Sequence, residues 1–175
     1  MSKTHLKQKL LGMLALAAMF GATEASAQAT QNLNVQAVVP PVCIIDVGTS
    51  DTQLLFDLSA IDAAPATYDG LATIAWRCTS GTALAIELSA GVSGDSSARY
   101  MEDSPGGNRI AYNLYTDGSF GTVWDDGTNG SVVNEVGLGM GNVGTTDVNG
   151  QILNAAVENA PTGTYNDNIT VTLTF

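Results

Sequence analysis

Four places in this 175-residue sequence hold residue types that could do chemistry. Gly139-Met140-Gly141-Asn142-Val143-Gly144 has the Gly-x-Gly-x-x-Gly spacing of a dinucleotide loop. Such a site needs a strand before it and a helix after it, so that the helix N-terminus faces the pyrophosphate. Thr145-Thr146-Asp147-Val148-Asn149-Gly150 follows and carries no helical pattern, so the run reads as a flexible glycine-rich loop. Asp125-Asp126-Gly127-Thr128-Asn129-Gly130 gathers oxygen ligands of the kind calcium takes, yet it lacks the distal Glu of a calcium loop. Its Asp-Gly and Asn-Gly pairs favour a tight turn instead. Trp124 beside those carboxylates invites a glycosidase reading, but acid pairs arise by chance in so acidic a chain. Cys43 and Cys78 are the only cysteines, and neither has a nearby base to make it catalytic.

The amino-terminus decides what else remains. Lys3, Lys7 and Lys9 precede an apolar run from Leu10 to Gly21, and Ala25-Ser26-Ala27 supplies a small-x-small cleavage pattern. The run is about 12 residues, short of the roughly 20 needed to span a bilayer. Residues 1–27 therefore read as a secretory signal cut before Gln28. Cleavage removes every Lys and the single His. Three arginines (Arg77, Arg99 and Arg109) then face sixteen carboxylates, a net charge of −13. With no His and no Lys, most general acid/base and nucleophile chemistry is gone, so no enzyme, cofactor or metal is expected. The acidic balance also argues against nucleic acid and anionic membranes as partners. The arginines are expected to make surface pairs of small energetic weight. In an oxidising compartment Cys43 and Cys78 form one disulfide by default, closing a loop of about 35 residues that contributes roughly 3–4 kcal/mol.

The elements that must position these residues are strands. Apolar residues alternate with period two between Gly, Asn and Asp clusters, and no sustained helical period occurs. Val42–Val47 and Leu54–Leu58 are short apolar runs. Ile74, Trp76 and Cys78 share one face, as do Leu84, Ile86 and Leu88, and again Ile110, Tyr112 and Leu114. Val123-Trp124, residues 131–136 and 151–157 are weaker strand candidates. Ile169, Val171, Leu173 and Phe175 alternate with polar residues in the clearest strand of all. About eight strands of this kind make an all-β sandwich.

Two segments do not fit a closed domain. If residues 169–175 are the penultimate strand of an immunoglobulin-like sandwich, the sheet has an unpaired edge beside an apolar groove, which proteins usually guard. At the other end Leu33, Val35, Ala37 and Val39 alternate in a strand that runs into Pro40-Pro41. Proline removes donors and keeps its neighbour extended, so residues 28–39 are expected to project from the domain at 40–175. A spare strand and a missing strand suggest strand addition between molecules, with the donor Leu33, Val35, Ala37 and Val39 entering a neighbour's groove along Ile169, Val171, Leu173 and Phe175. Donor and acceptor surfaces differ, so the contact propagates into a homopolymer. About nine residues at roughly 3.3 Å each reach close to 30 Å, the length of a sandwich. The larger three side chains would contribute roughly 1.5–3 kcal/mol each. Pairing of residues 28–39 within their own domain is the competing reading.

The chain resembles the spore coat protein U family, which includes subunits of archaic chaperone–usher pili. The resemblance rests on the export signal, Pro40-Pro41-Val42-Cys43, Ile110-Ala111-Tyr112-Asn113-Leu114-Tyr115-Thr116, Trp124-Asp125-Asp126-Gly127-Thr128, and Gly163-Thr164-Tyr165-Asn166-Asp167 before the last strand. It covers essentially the whole mature chain. The family turn often reads Trp-Gly-Asp-Gly-Thr, so Asp125 is a departure. The resemblance implies an incomplete immunoglobulin-like β-sandwich lacking its last strand and completed by donor-strand complementation. It implies a periplasmic chaperone, an outer-membrane usher, and export through the periplasm to a fimbrium on the cell surface, serving attachment and biofilm formation. It also implies that the Cys43–Cys78 bridge ties the first strand to the second. One domain with its own donor looks like a shaft subunit rather than a tip. A monomeric carbohydrate-binding or adhesive sandwich, and a spore coat protein, are the alternatives.

Overall fold

The computed structural model describes residues 27–104 and 107–175. The signal segment expected over 1–27 lies outside the described residues save for Ala27. Among the described residues ten strands carry the architecture. They are β1 (Cys43–Ile45), β2 (Thr67–Cys78), β3 (Ala83–Leu88), β4 (Tyr100–Asp103) and β5 (Arg109–Ala111). The chain continues with β6 (Asn113–Tyr115), β7 (Val133–Val136), β8 (Gly144–Leu153), β9 (Tyr165–Asn166) and β10 (Val171–Thr174), with one helical turn, α1 (Asn154–Val157), after β8. The chain divides into a unit up to Ala37 and a unit from Val38 to Phe175. In the first, residues 27–37 form no secondary structure.

The second unit is the sandwich. One sheet has the order β1-β2-β8-β6 and the other β10-β3-β7, while β5-β4-β9 makes a small third sheet. All strand pairs are antiparallel. The longest ladder joins β2 to β8 from Thr67↔Leu153 to Trp76↔Gly144. Period-two alternation sends Ile74, Trp76 and Val148 from the first sheet and Leu84, Ile86 and Leu88 from the second into one buried cluster. Ile110, Tyr112 and Leu114 join it from β5, the β5–β6 junction and β6. Ile74, Trp76 and Cys78 and the other two expected trios all lie in this cluster, as their alternation predicts.

Both tryptophans are buried and satisfied. The Trp76 indole N–H donates to Thr146 Oγ1 at 3.1 Å, and that of Trp124 donates to the Ile86 carbonyl at 2.8 Å. The Cys43–Cys78 disulfide is formed and its cysteines are register partners in the β1–β2 ladder. The first strand is thus tied to the second.

Several elements differ from the alternation pattern. Residues 145–150, for which no strand was expected, lie within β8, and Gly144, the last glycine of the expected loop, opens that strand opposite Trp76. The weak candidate at 151–157 splits into the end of β8 and α1. Leu54–Leu58 is extended but belongs to no sheet. A Cβ at Gly144 would fall within the Trp76 ring, which is too buried to move aside. Gly144→Ala should therefore cost about 1–3 kcal/mol through overpacking, read as a lower urea midpoint with an unchanged slope. An unaltered midpoint would show that Trp76 has room to shift.

Candidate functional site

Residues 51–58 build one wall of a cleft in the second unit. Asp51 anchors the segment to β2: its N–H donates to the Thr73 carbonyl at 2.8 Å and its carboxylate accepts from the Thr73 N–H at 2.7 Å. The chain then runs across the sheet where Gly70 and Gly150 face each other in the β2–β8 ladder. A side chain at either glycine would collide with Leu54 or Phe56, so the pair is the hollow in which this wall lies. Leu54, Phe56 and Leu58 turn inward, while Leu55 and Asp57 face solvent. Between Asp51 and Leu58 the backbone makes no backbone–backbone hydrogen bond among the described residues. It is a strand edge without a sheet.

The opposite wall is β10. Val171 to Thr174 pair with Leu88 to Ala85 of β3, leaving the other edge of β10 unpaired. Ile169, Val171 and Leu173 pack on the core yet stay only partly buried, as do Leu54, Phe56 and Leu58 across the gap. Phe175 lies past β10 and is 55% exposed. Between the walls lies a cleft of about 540 Å³ whose floor includes Ala72, Ile74, Val148, Ile152, Leu114 and Tyr112. Phe56 meets Tyr112 edge to face with ring centroids 6.0 Å apart. The floor is apolar, and the two walls present main-chain donors and acceptors with no strand between them.

The expected donor residues lie on the other side of Pro40-Pro41. Leu33, Val35 and Val39 are 86%, 83% and 76% exposed, Ala37 is exposed too, and none is in a strand.

A buried polar hub fixes where β10 begins, and sequence alone missed it. Arg99 is not the surface pair expected of it but is fully buried, with no carboxylate in a direct ion pair. Its guanidinium donates to the Ser89 carbonyl (2.8 and 3.2 Å), the Trp124 carbonyl (2.9 Å) and Asn113 Oδ1 (2.8 Å). A guanidinium's planar fork can satisfy several fixed acceptors at once, which is why a buried cation holds here. Burial pulls its pKa below the ordinary value, against the pull of Tyr112, Asp125 and Asp167. Ser89 in turn exchanges backbone and side-chain hydrogen bonds with Thr170, directly ahead of β10. No periodicity marks Arg99, because its partners are mostly carbonyls.

Asp167 is the second anchor. Its carboxylate accepts from Tyr112 Oη at 2.7 Å and from the N–H groups of Val92 and Asn168. Gly91, at φ +68°, lets the carboxylate come so near that a Cβ would clash with it. The other two arginines do pair at the surface, Arg77 with Asp46 and Arg109 with Glu102.

The residues of the chemical motifs are engaged within the fold. Asp125 is buried, and its oxygens accept from Ser96 Oγ and from the N–H groups of Gly127, Asn129 and Gly130 at 2.7–2.8 Å. Burial raises its pKa, but these donors outweigh that and leave it lowered. The carboxylate is committed to its own turn and is not free to hold calcium. Trp124 is wholly buried and offers no face to a sugar. Gly139 to Gly144 leads into a strand rather than a helix, so the dinucleotide geometry fails. No helix among the described residues is long and apolar enough to cross a membrane.

The site thus defined is an open apolar cleft between two unpaired backbone edges in an all-β sandwich. The Spore Coat Protein U domain matches residues 29–172, and the chain belongs to that family. The fold is similar to a chain in the crystal structure of the CsuC–CsuE chaperone–tip adhesion subunit pre-assembly complex from archaic chaperone–usher Csu pili of Acinetobacter baumannii. The TM-score is 0.54 at 20% identity, with 78% of this chain covered. This chain spans about 40% of the length of that one. Among curated protein sequences none matches significantly.

Tyr112 links the cleft floor to the start of β10, and this sets an alkaline limit. Burial, then Asp167, pushes its phenol well above the usual value of 10.0. The folded chain holds the neutral phenol, so that contribution is complete below about pH 10 and fades as pH climbs toward the raised folded value. Tyr112→Phe should lower stability by about 1 kcal/mol near neutrality and make the loss above pH 10 shallower, as read by urea unfolding. Identical alkaline slopes for both proteins would contradict the assignment.

Proposed function

We propose that this chain is a structural subunit of a chaperone–usher pilus, polymerising when residues 28–39 of one copy fill the cleft of the next. The observation that carries the reading is the pair of unpaired backbone edges, 52–57 and β10, flanking an apolar floor. A strand laid between them would hydrogen-bond on both sides and cover Leu54, Phe56, Ile169 and Val171 at once. Leu33, Val35, Ala37 and Val39 have the required alternation, and residues 28–39 carry no charge. Insertion therefore brings no carboxylate into the cleft.

A subunit with such a cleft needs a partner before it meets the next copy, since an exposed apolar edge aggregates. A periplasmic chaperone fills that need, and the related fold in a chaperone–subunit pre-assembly complex supports it. An outer-membrane usher would then exchange chaperone for donor. The alternating segment ahead of Pro40-Pro41 favours a shaft position, and the fibre would serve surface attachment and biofilm formation. Residues 1–27 would direct export and be removed, leaving 40–175 as the acceptor domain.

Val35→Asp places a charge in the middle of the donor, where burial without a partner costs several kcal/mol. Cells carrying this variant with intact chaperone and usher should export subunits but assemble no filaments under electron microscopy. Filaments of ordinary length would refute the donor assignment.

A further inference from the structure

One end of the sandwich is low in net charge on a strongly acidic protein. The stretches 36–45, 78–86 and 136–146 contain no Asp, Glu, Lys or Arg. The fold gathers them around the disulfide. The Thr79 N–H donates to the Val42 carbonyl, Gly139 N–H to the Cys78 carbonyl, and Gly81 and Gly137 bond across the β3–β7 end. At this end Val42, Ile44, Val136, Leu138 and Met140 are 40–57% exposed. One cation lies within it: Arg77, the register partner of Ile44, donates to the Met140 carbonyl at 3.4 Å and is neutralised by Asp46 at 2.7 Å, while Glu135 stands at the rim beside Val136. An apolar patch of this kind on an exported protein marks a contact surface.

Its occupant follows from the chain path and the charge. The segment carrying Leu33 to Val39 joins the domain here, and Thr79 Oγ1 holds the Pro40 carbonyl at 3.2 Å. Only Pro40 and Pro41 separate Val39 from Val42, a reach of about 10 Å. A copy that grips the donor as far as Val39 must bring its body within that distance. Two bodies of charge −13 then meet at about the Debye length in physiological salt, where facing carboxylates would still repel. The end low in net charge is where such a close approach escapes that repulsion.

The geometry points to a second subunit contact: the patch of Val42, Ile44, Leu138 and Met140 packs against the body of the neighbouring copy that holds this copy's donor strand. The inference rests on the polymerisation proposed above. It adds that the junction is a seated interface rather than a loose tether.

Incorporating a photo-crosslinking amino acid at position 140, in full-length chain assembled into fibres with its chaperone and usher, tests it. Leu71, exposed in the middle of the β2–β8 face, serves as the reference position. Irradiated fibres should yield copy-to-copy cross-links from position 140 several-fold above those from position 71. Equal yields in intact fibres would overturn the seated interface and leave donor insertion untouched. A second readout uses Leu138→Asp with Met140→Asp, both on exposed side chains: filaments should form but bend more, with persistence length reduced at least twofold. Unchanged stiffness would also overturn the proposal. Failure of donor insertion itself is read separately, from filaments that persist in Val35→Asp.

Discussion

An apolar floor lying between two main-chain edges that have no partner strand is the constraint on which this structure turns. Backbone N–H and C=O groups beside a hydrophobic core must find partners or remain wet, and a wet edge leaves the core uncovered. Here the edges are residues 52–57 and β10, and the floor is contributed by β2, β8 and β6. Everything around the cleft serves to hold those edges apart. The Gly70–Gly150 hollow seats one wall, and the Arg99–Ser89–Thr170 and Tyr112–Asp167 contacts fix the start of the other.

The energetic consequence is that side chains on both walls remain half-covered although they belong to the core cluster. A β-segment of matching alternation satisfies both the hydrogen-bonding and the apolar demand at once, which a small ligand or a flat surface would not. The composition is consistent with that division of labour. Charge is spread over the body of the domain, whereas residues 28–39 carry none and the end of the sandwich from which they emerge holds the mutually neutralised Arg77–Asp46 pair. An acidic surface keeps copies of a protein apart, and under the proposed polymerisation the parts low in net charge are those that associate.

Much of this was legible in the sequence, for physical reasons. Strict alternation in residues 82–90 and 168–174 reads directly as strands with one buried face, and Leu84, Ile86 and Leu88 are buried accordingly. Two cysteines leave one pairing within the chain, and it is formed. Leu54–Leu58 of the wall was visible as an apolar run, but its lack of a sheet was not, since alternation records which side chains face inward and says nothing of who pairs with the backbone. Arg99 was misjudged because its partners are mostly carbonyls distant in sequence, whereas the tight turn expected after Trp124 is formed around the Asp125 carboxylate. The strand over residues 145–150 was not anticipated, because Thr, Asp and Asn dominate them. Their burial against β2 is decided by tertiary pairing rather than propensity.

Amide hydrogen exchange on assembled fibres bears most directly on whether the cleft is a strand acceptor. The account predicts that alternate amides of residues 52–57 and successive amides within 33–39 exchange orders of magnitude more slowly than in an unstructured chain, because each is bonded to a strand of another copy. Free-chain exchange at both segments in intact fibres would contradict it.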